Sequence, residues 1–430
     1  MTTEQFILLH RTADVRQLAL QGPRHPGVDM PFALRQIAGW QTARRKLPTW
    51  AACEGVEYPP HLNMEQCSSE PAARYKARLA RRWAAMAAAP GETASMADLT
   101  GGFGVDFSFV SRGFGEATYV ERDEALCRIV GANLPRLGVR NATVCCADCA
   151  AALRSMPPRT MLFLDPARRD EHGGRTVLLS DCTPDVCRLL PQLMQKSRFV
   201  MLKLSPMLDW HKAAADLGPC VRQVHIVSVG GECKELLLVL SASVETGKPL
   251  RVACVDVSAK PSADGSYAET VFEYDEGEAG KGLVLETEDV EPSAGDVSKA
   301  EILNPNAEIQ DSKFLYEPNA SVMKAGCFAQ LSRRFGVQAV APNSHLFLSG
   351  GLVEGFPGRR FAVKAVSTMN KKQLRQALQG VAQANVAVRN FPLTADALRR
   401  RLKLKDGGNT YIFATTTAQG DHVLMLCEKA

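Results

Sequence analysis

The strongest constraint on the fold is a rhythm between residues 95 and 241. The apolar runs "ASMADL", "EATYVE", "ATVCC", "TMLFLD" and "SRFVMLKL" read as strands. Between and after them, "GVDFSFVSRG", "DEALCRIVGANLPRLG", "DCAAALRSM", "TPDVCRLLPQLMQ" and "SPMLDWHKAAADL" have the spacing of helices. Such alternation requires a parallel sheet with helices on both faces. Two last strands, "VRQVHIVSV" and "ELLLVLS", flank a Gly230-Gly231 turn and add an antiparallel hairpin. Thr183 is the expected N-cap of the fourth helix, with Pro184 at its first position.

With 430 residues the chain exceeds the ~250–300 that one core serves. Up to about residue 90 it reads as mainly helical, through "ILLHRTADVRQLALQ", "MPFALRQIAGWQTARRKL" and "SSEPAARYKARLARRWAAMAAA". The intervening "PTWAACEGVEYPPHLNMEQCSS" is broken by proline and reads as a loop, and Ser69 is placed to cap the helix that follows. The expected divisions are a helical region over 1–93, the α/β sheet over 94–243, and smaller α+β domains over 247–342 and 355–430. The last contains "RRFAVKAVS", "NKKQLRQALQGV", "ANVAVRNF", "TADALRRRLKL", "TYIFATT" and "HVLMLCEK" as strand, helix, strand, helix, strand, strand.

No apolar run reaches the ~18 residues of a membrane span, and "MTTEQFILLHRTADVRQ" lacks the pattern of a signal peptide. The 13 cysteines are scattered and odd in number, as expected for a reducing cytoplasm rather than a disulfide scaffold. Net charge is +5, unevenly spread. Residues 264–317 hold 15 acids against 3 basic residues, while 355–430 hold 13 basic residues against 4 acids. A basic end module on a near-neutral chain fits a polyanion such as RNA or DNA, and equally a solvated basic face. Arg399, Arg400, Arg401, Lys403 and Lys405 crowd one helix and its exit.

In "ADLTGGFGVDFSF" a strand ends at Asp98, Gly101, Gly102 and Gly104 follow, and Asp106 opens a helix. Neither the dinucleotide fingerprint nor the phosphate loop fits these glycines, and acids at both ends disfavour an anion. They suit a ligand with positive charge and hydroxyl or amino donors, chemistry that S-adenosylmethionine (SAM) combines in its sulfonium, ammonium and ribose. Glu121 ends the second strand, where an acid accepts ribose hydroxyls. Asp148 follows the third, placed to read an adenine amino group or to cap a helix. At the end of the fourth, Asp165-Pro166-Ala167-Arg168 stands where open α/β sheets bind ligands. Lys203 and Ser205 follow the fifth and line the substrate mouth, a turn-capping role being the alternative for Ser205. Cys145, Cys146 and Cys149 read as ordinary buried cysteines rather than metal ligands. His172 reads as a loop histidine, and His61, His225 and His345 as structural.

This combination resembles the class I SAM-dependent methyltransferases. "DLTGGFGVD" is similar to their first motif, Glu121 to the ribose acid, Asp148 to the adenine-side acid and "DPAR" to the catalytic-face motif. The resemblance implies a Rossmann-like seven-stranded sheet, SAM across the strand ends and in-line methyl transfer, with Asp165, Pro166 and Arg168 as the catalytic set. "QCSSEPAARYKA", "LKLSPMLD", "FLYEPNASVMKAG" and "RNFPL" resemble a narrower bacterial group with a ferredoxin-like domain, here 247–342, and a THUMP-like domain, here 355–430. That likeness implies a tRNA or rRNA substrate. Just upstream of the first strand, the helix with Ser69–Glu70 and, one turn on, Tyr75–Lys76 is expected to roof the cofactor, with Ser69 and Glu70 among its ligands. Enzymes acting on exocyclic amines carry a second proline and an aromatic where this chain has Ala167 and Arg168, a departure that argues away from such targets. A small-molecule or protein substrate, or a non-catalytic SAM- or RNA-binding module, are the other readings.

Overall fold

The computed structural model describes residues 1–20, 25, 27–168, 179–241, 248–277, 309 and 312–430, with only the backbone at Arg168. His172 and most of the acidic stretch lie outside the described residues. The chain divides into two compact units, Met1–Val229 with Lys234–Leu250 and Val257–Ala268, and Gly230–Cys233 with Arg251–Asp256 and Glu269–Ala430.

The first unit opens with helices α1 (Thr3–His10), α2 (Val15–Leu20), α3 (Met30–Lys46), α4 (Pro48–Ala52), α5 (His61–Gln66) and α6 (Glu70–Ala87). Phe6, Leu18, Ala33 and Ile37 pack together as the core of the first three. The expected single helix over "ILLHRTADVRQLALQ" is two, because the Asp14 carboxylate accepts the N–H groups of Arg16 and Gln17 and starts a new helix. The expected loop over 48–69 contains α4 and α5. Ser69 stands at the N-cap of α6 but makes no capping bond; its Oγ is buried without a partner.

There follow β1 (Ser95–Asp98), α7 (Val105–Val110), β2 (Glu116–Glu121), α8 (Glu124–Arg136), β3 (Ala142–Cys146), α9 (Cys149–Ser155), β4 (Arg159–Leu164), β5 (Ala167–Arg168), β6 (Cys182–Thr183), α10 (Val186–Lys196), β7 (Ser197–Leu204), α11 (Trp210–Leu217), β8 (Val221–Val229) and β9 (Glu232–Ser241). Seven of these strands lie in the order β8-β9-β7-β4-β1-β2-β3. β1 is parallel to β2 and β4, β2 to β3, and β4 to β7, while β9 is antiparallel to β7. The α/β alternation therefore folds as the sheet it requires. Its centre is dry: Met96, Leu162, Val200 and Leu238 are fully buried. Strand order reverses between β1 and β4, and the carboxyl ends of these two strands form the crevice that such sheets use for ligands.

Two local expectations change. Thr183 lies in β6 and the cap of α10 is Asp185, whose Oδ1 accepts the Arg188 N–H at 3.2 Å. Of the three clustered cysteines, Cys149 is buried but Cys145 is half-buried and Cys146 exposed, because β3 is the sheet's edge. His225 is structural: buried, it accepts or donates at Nδ1 with the Tyr75 hydroxyl at 2.7 Å, and burial holds it neutral with its pKa lowered to about 3.

In the second unit, β10 (Arg251–Val257) pairs with β11 (Glu269–Asp275). A separate seven-stranded sheet contains β12 (Phe314–Pro318), β13 (Gln338–Ala339), β14 (Phe347–Ser349), β15 (Gly358–Thr368), β16 (Asn385–Arg389), β17 (Tyr411–Thr416) and β18 (His422–Lys429). Its order is β13-β14-β12-β15-β18-β17-β16. Leu315, Phe361, Phe413 and Met425 form its buried face. Helices Lys371–Ala377 and Ala395–Leu402 are capped by Asn370 and Thr394.

Candidate active site at the strand ends

The glycine turn is built by close approach. The Gly101 N–H donates to Val120 O at 2.8 Å, and a Cβ there would stand 2.1 Å from the Tyr119 ring. Gly104 has φ +75° and faces Val130. Gly102, at φ +51°, differs: its Cβ would meet only Thr100 O at 4.0 Å, so it borders open space. The Gly102 N–H donates to Glu121 Oε2 at 2.9 Å, and Glu121 Oε1 accepts from Arg122 and Asp123. Glu121 thus ties the tip of β2 to the turn.

Asp98 is almost completely buried and accepts the Thr100 N–H at 3.0 Å. Burial pushes its carboxyl well above the usual range, and the charges of Asp106, Asp165 and Glu121 add to the push. Four acids therefore converge on the glycine turn, and burial disfavours the charge of Asp98 among them.

A line of alternating charges runs inward from this cluster. Asp165 pairs with Lys203, Lys203 approaches Asp106 at 3.9 Å, Asp106 pairs with Lys76 at 3.0 Å, and Lys76 meets Glu235 at 2.6 Å. Side-chain exposure falls from 38% at Asp165 through 12% at Lys203 and 10% at Asp106 to 0% at Lys76 and 3% at Glu235. Only the Asp165 end opens outward. Burial opposes the Lys203 charge, but the Asp165, Asp106 and Glu235 carboxylates outweigh it and raise its pKa. Burial likewise opposes the Asp106 charge, and Lys76 and Lys203 outweigh that, holding its carboxyl low. The Asp165 N–H donates to Thr100 Oγ1 at 2.6 Å, and Pro166 behind it is buried. The backbone of Arg168 pairs with Cys182 in a two-stranded ribbon.

The other expected residues fall in different places. Asp148 is exposed and caps α9, its Oδ1 accepting from Ala150 and Ala151. Glu70 is buried with both oxygens engaged by Thr49 and Arg74. Ser205 Oγ accepts the Met207 N–H in a turn after β7. In the second unit, Arg399 is tied to Asp396 and, at 2.5 Å, to Asp406, whereas Arg400, Arg401, Lys403 and Lys405 are exposed. Sequence reasoning missed Ser68, Thr100 and Glu235. Ser68 Oγ donates to Asp106 at 2.7 Å and accepts from Lys76 at 3.0 Å. Glu235 carried a signal, a lone acid entering the apolar run of "ELLLVLS".

Strand order, terminal hairpin and acid-flanked glycine turn define the class I methyltransferase fold. Residues 358–429 match the THUMP domain-like family, and residues 314–357 match a ferredoxin-like domain family. The chain is similar to a crystal structure from Porphyromonas gingivalis W83 described as a "putative methyltransferase", with 27% identity, 100% of this chain and 99% of that one covered, and a TM-score of 0.79. An O-methyltransferase from Bacillus cereus in complex with SAH covers 47% of this chain and 90% of its own at 12% identity and a TM-score of 0.32. An rRNA methylase from Streptococcus thermophilus covers 38% and 94% at 12% identity and a TM-score of 0.29. No curated protein matches the chain. Among the described residues no helix is long and apolar enough to cross a membrane.

Proposed function

We propose that this protein is a SAM-dependent methyltransferase acting on a base of tRNA or rRNA. The observation that carries the reading is the convergence of Asp98, Asp106, Asp165 and Glu121 on an open-faced glycine turn at the switch point of the sheet. The site fits the cofactor: Gly102 leaves room, Asp98 favours a cation, and Glu121 and Asp148 are acids at successive strand ends. Asp98, Glu121, Asp148 and the Gly101–Gly104 backbone would hold SAM, which supplies a methyl group already activated on sulfur.

The chain's own work is then mainly positioning. Asp165 stands at the outer end of the charge line, clamped by Lys203 on its carboxylate and Thr100 on its backbone. Its carboxylate is placed to accept a hydrogen bond or the proton from the target group. Pro166 fixes the chain direction beyond it, and Arg168 follows on the same segment. The exposed Arg400, Arg401 and Lys403, and the basic surplus of residues 355–430, support an RNA substrate.

Calorimetry with SAM, and transfer of labelled methyl from SAM to bulk tRNA and rRNA, test the reading. Asp165→Ala should bind SAM within a few-fold of wild type while transfer collapses. A wild-type chain that does not bind SAM at millimolar concentration refutes the cofactor assignment. Binding without incorporation into either RNA pool refutes the substrate assignment.

A further inference from the structure

The second unit holds a built charge cluster that the methyl-transfer site does not use. Glu317 on β12 is 4% exposed. Arg359, its cross-strand neighbour on β15, donates to it through Nη2 and through Nε at 2.7 Å. Arg389, at the end of β16, donates Nη2 to the other carboxylate oxygen at 2.6 Å. β15, β18 and β17 separate β12 from β16 in the sheet, so this contact joins distant strands of a curled sheet.

The carboxylate is buried, but the two guanidinium side chains are 55% and 39% exposed. One acid shared by two arginines leaves one positive charge in excess. Beyond Glu317 and Val388 O, which takes Arg389 Nη1, the remaining N–H groups of both forks have no partner among the described residues. Arg359 also lies over the Phe361 ring, 5.5 Å from its centroid, which further fixes its plane. Two outward-facing forks on a common anchor match the bidentate geometry of phosphate, and need little reordering to bind it.

We propose that Arg359 and Arg389, set side by side by Glu317, form a phosphate clasp for an RNA strand. The inference rests on the RNA reading above and names the place where that strand is gripped. It differs from the expectation centred on the Ala395–Leu402 helix, where Arg399 is already neutralised by two aspartates.

The test uses the full chain and a fluorescein-labelled single-stranded RNA oligonucleotide, with anisotropy read across a salt series and SAM affinity measured on the same sample. Glu317→Gln/Arg359→Gln/Arg389→Gln removes the clasp without stranding a buried carboxylate. Affinity should fall about tenfold, and the log–log salt slope by roughly 0.7, the one phosphate that the cluster's single excess charge neutralises. SAM affinity should not change. A folded triple variant with wild-type affinity and slope overturns the clasp and leaves the RNA reading standing. A wild-type chain that does not bind the oligonucleotide overturns both, whatever its SAM affinity. If the triple variant does not fold, Arg389→Lys decides, since it keeps the charge opposite Glu317 and loses the fork. RNA binding weakened several-fold at unchanged SAM affinity supports the clasp, and unchanged RNA binding overturns it.

Discussion

Lys76 is the residue whose loss should be most costly. Its ammonium meets both Glu235 oxygens at 2.6 and 2.7 Å, Asp106 at 3.0 Å and Ser68 Oγ at 3.0 Å, in full burial. Lys76→Met keeps the apolar stem and removes the charge, leaving Glu235, 2% exposed, without this cation. Stranding one partner of a buried pair costs about 3–5 kcal/mol. For a unit of this size that lowers Tm by about 6–20 °C, at about 2–4 °C per kcal/mol. Lys76→Met/Glu235→Gln removes both charges, and Asp106 keeps Ser68 and Lys203. The double variant should therefore recover more than half of the loss, a coupling of about 2 kcal/mol or more. Asp106, held low in the native state, adds stability above its ordinary pKa of 3.8 that is lost as pH falls through the native value. Removing Lys76 should move that acid limb to higher pH. Scanning calorimetry of wild type, both single variants and the double variant at several pH values measures all of this. Losses that simply add would refute the idea that Lys76 and Glu235 act as one pair.

Asp98, raised by burial and by its acidic neighbours, holds its proton above the ordinary range when no cation is bound. SAM binding should then release a proton and tighten by up to about tenfold per pH unit until the free-state pKa is passed; calorimetry in buffers of different ionisation enthalpy reads this, and an Asp98→Asn variant with the same pH dependence as wild type would sink it. The glycines should separate by role. Gly101→Ala drives a Cβ to 2.1 Å from the buried Tyr119 ring and should cost about 1–3 kcal/mol. Gly102→Val, at φ +51° but in open space, should cost about 1–2 kcal/mol yet abolish SAM binding; a valine variant that binds SAM like wild type would show that the ligand does not approach there.

The sheet was legible because burial on both faces writes itself into composition: "TMLFLD" and "SRFVMLKL" admit few polar residues. Helix starts were less legible where carboxylates compete. Asp14 and Asp185 took capping roles that periodicity and Thr183 had obscured. At the candidate site, the sequence pointed to acids at strand ends because topology puts strand ends together. It could not show that Lys76, a full helix away from the glycine turn, sends its ammonium into the core to meet Asp106. Nor could it show that Glu70, a few residues earlier on α6, spends its carboxylate on Thr49 and Arg74. Which side of a helix meets the site depends on packing angles that a linear pattern does not contain. In the basic cluster, the Asp396–Arg399 pair was legible from its i,i+3 spacing, whereas the contact with Asp406, beyond the helix, was not.

Gly358 marks the division between the two C-terminal family matches, and it is also a point of very tight contact. A Cβ at Gly358 would lie 2.2 Å from Glu317 O and 2.8 Å from Pro318 Cα. β12 runs antiparallel to β15 from Phe314↔Ala362 to Pro318↔Gly358, so the two matched stretches exchange main-chain hydrogen bonds along their shared border. The border between them in sequence is a seam in space. Deleting or transplanting either stretch alone would bare a strand edge, the kind of surface that recruits another chain. The two stretches share one sheet, and their boundary in sequence is not a boundary in space.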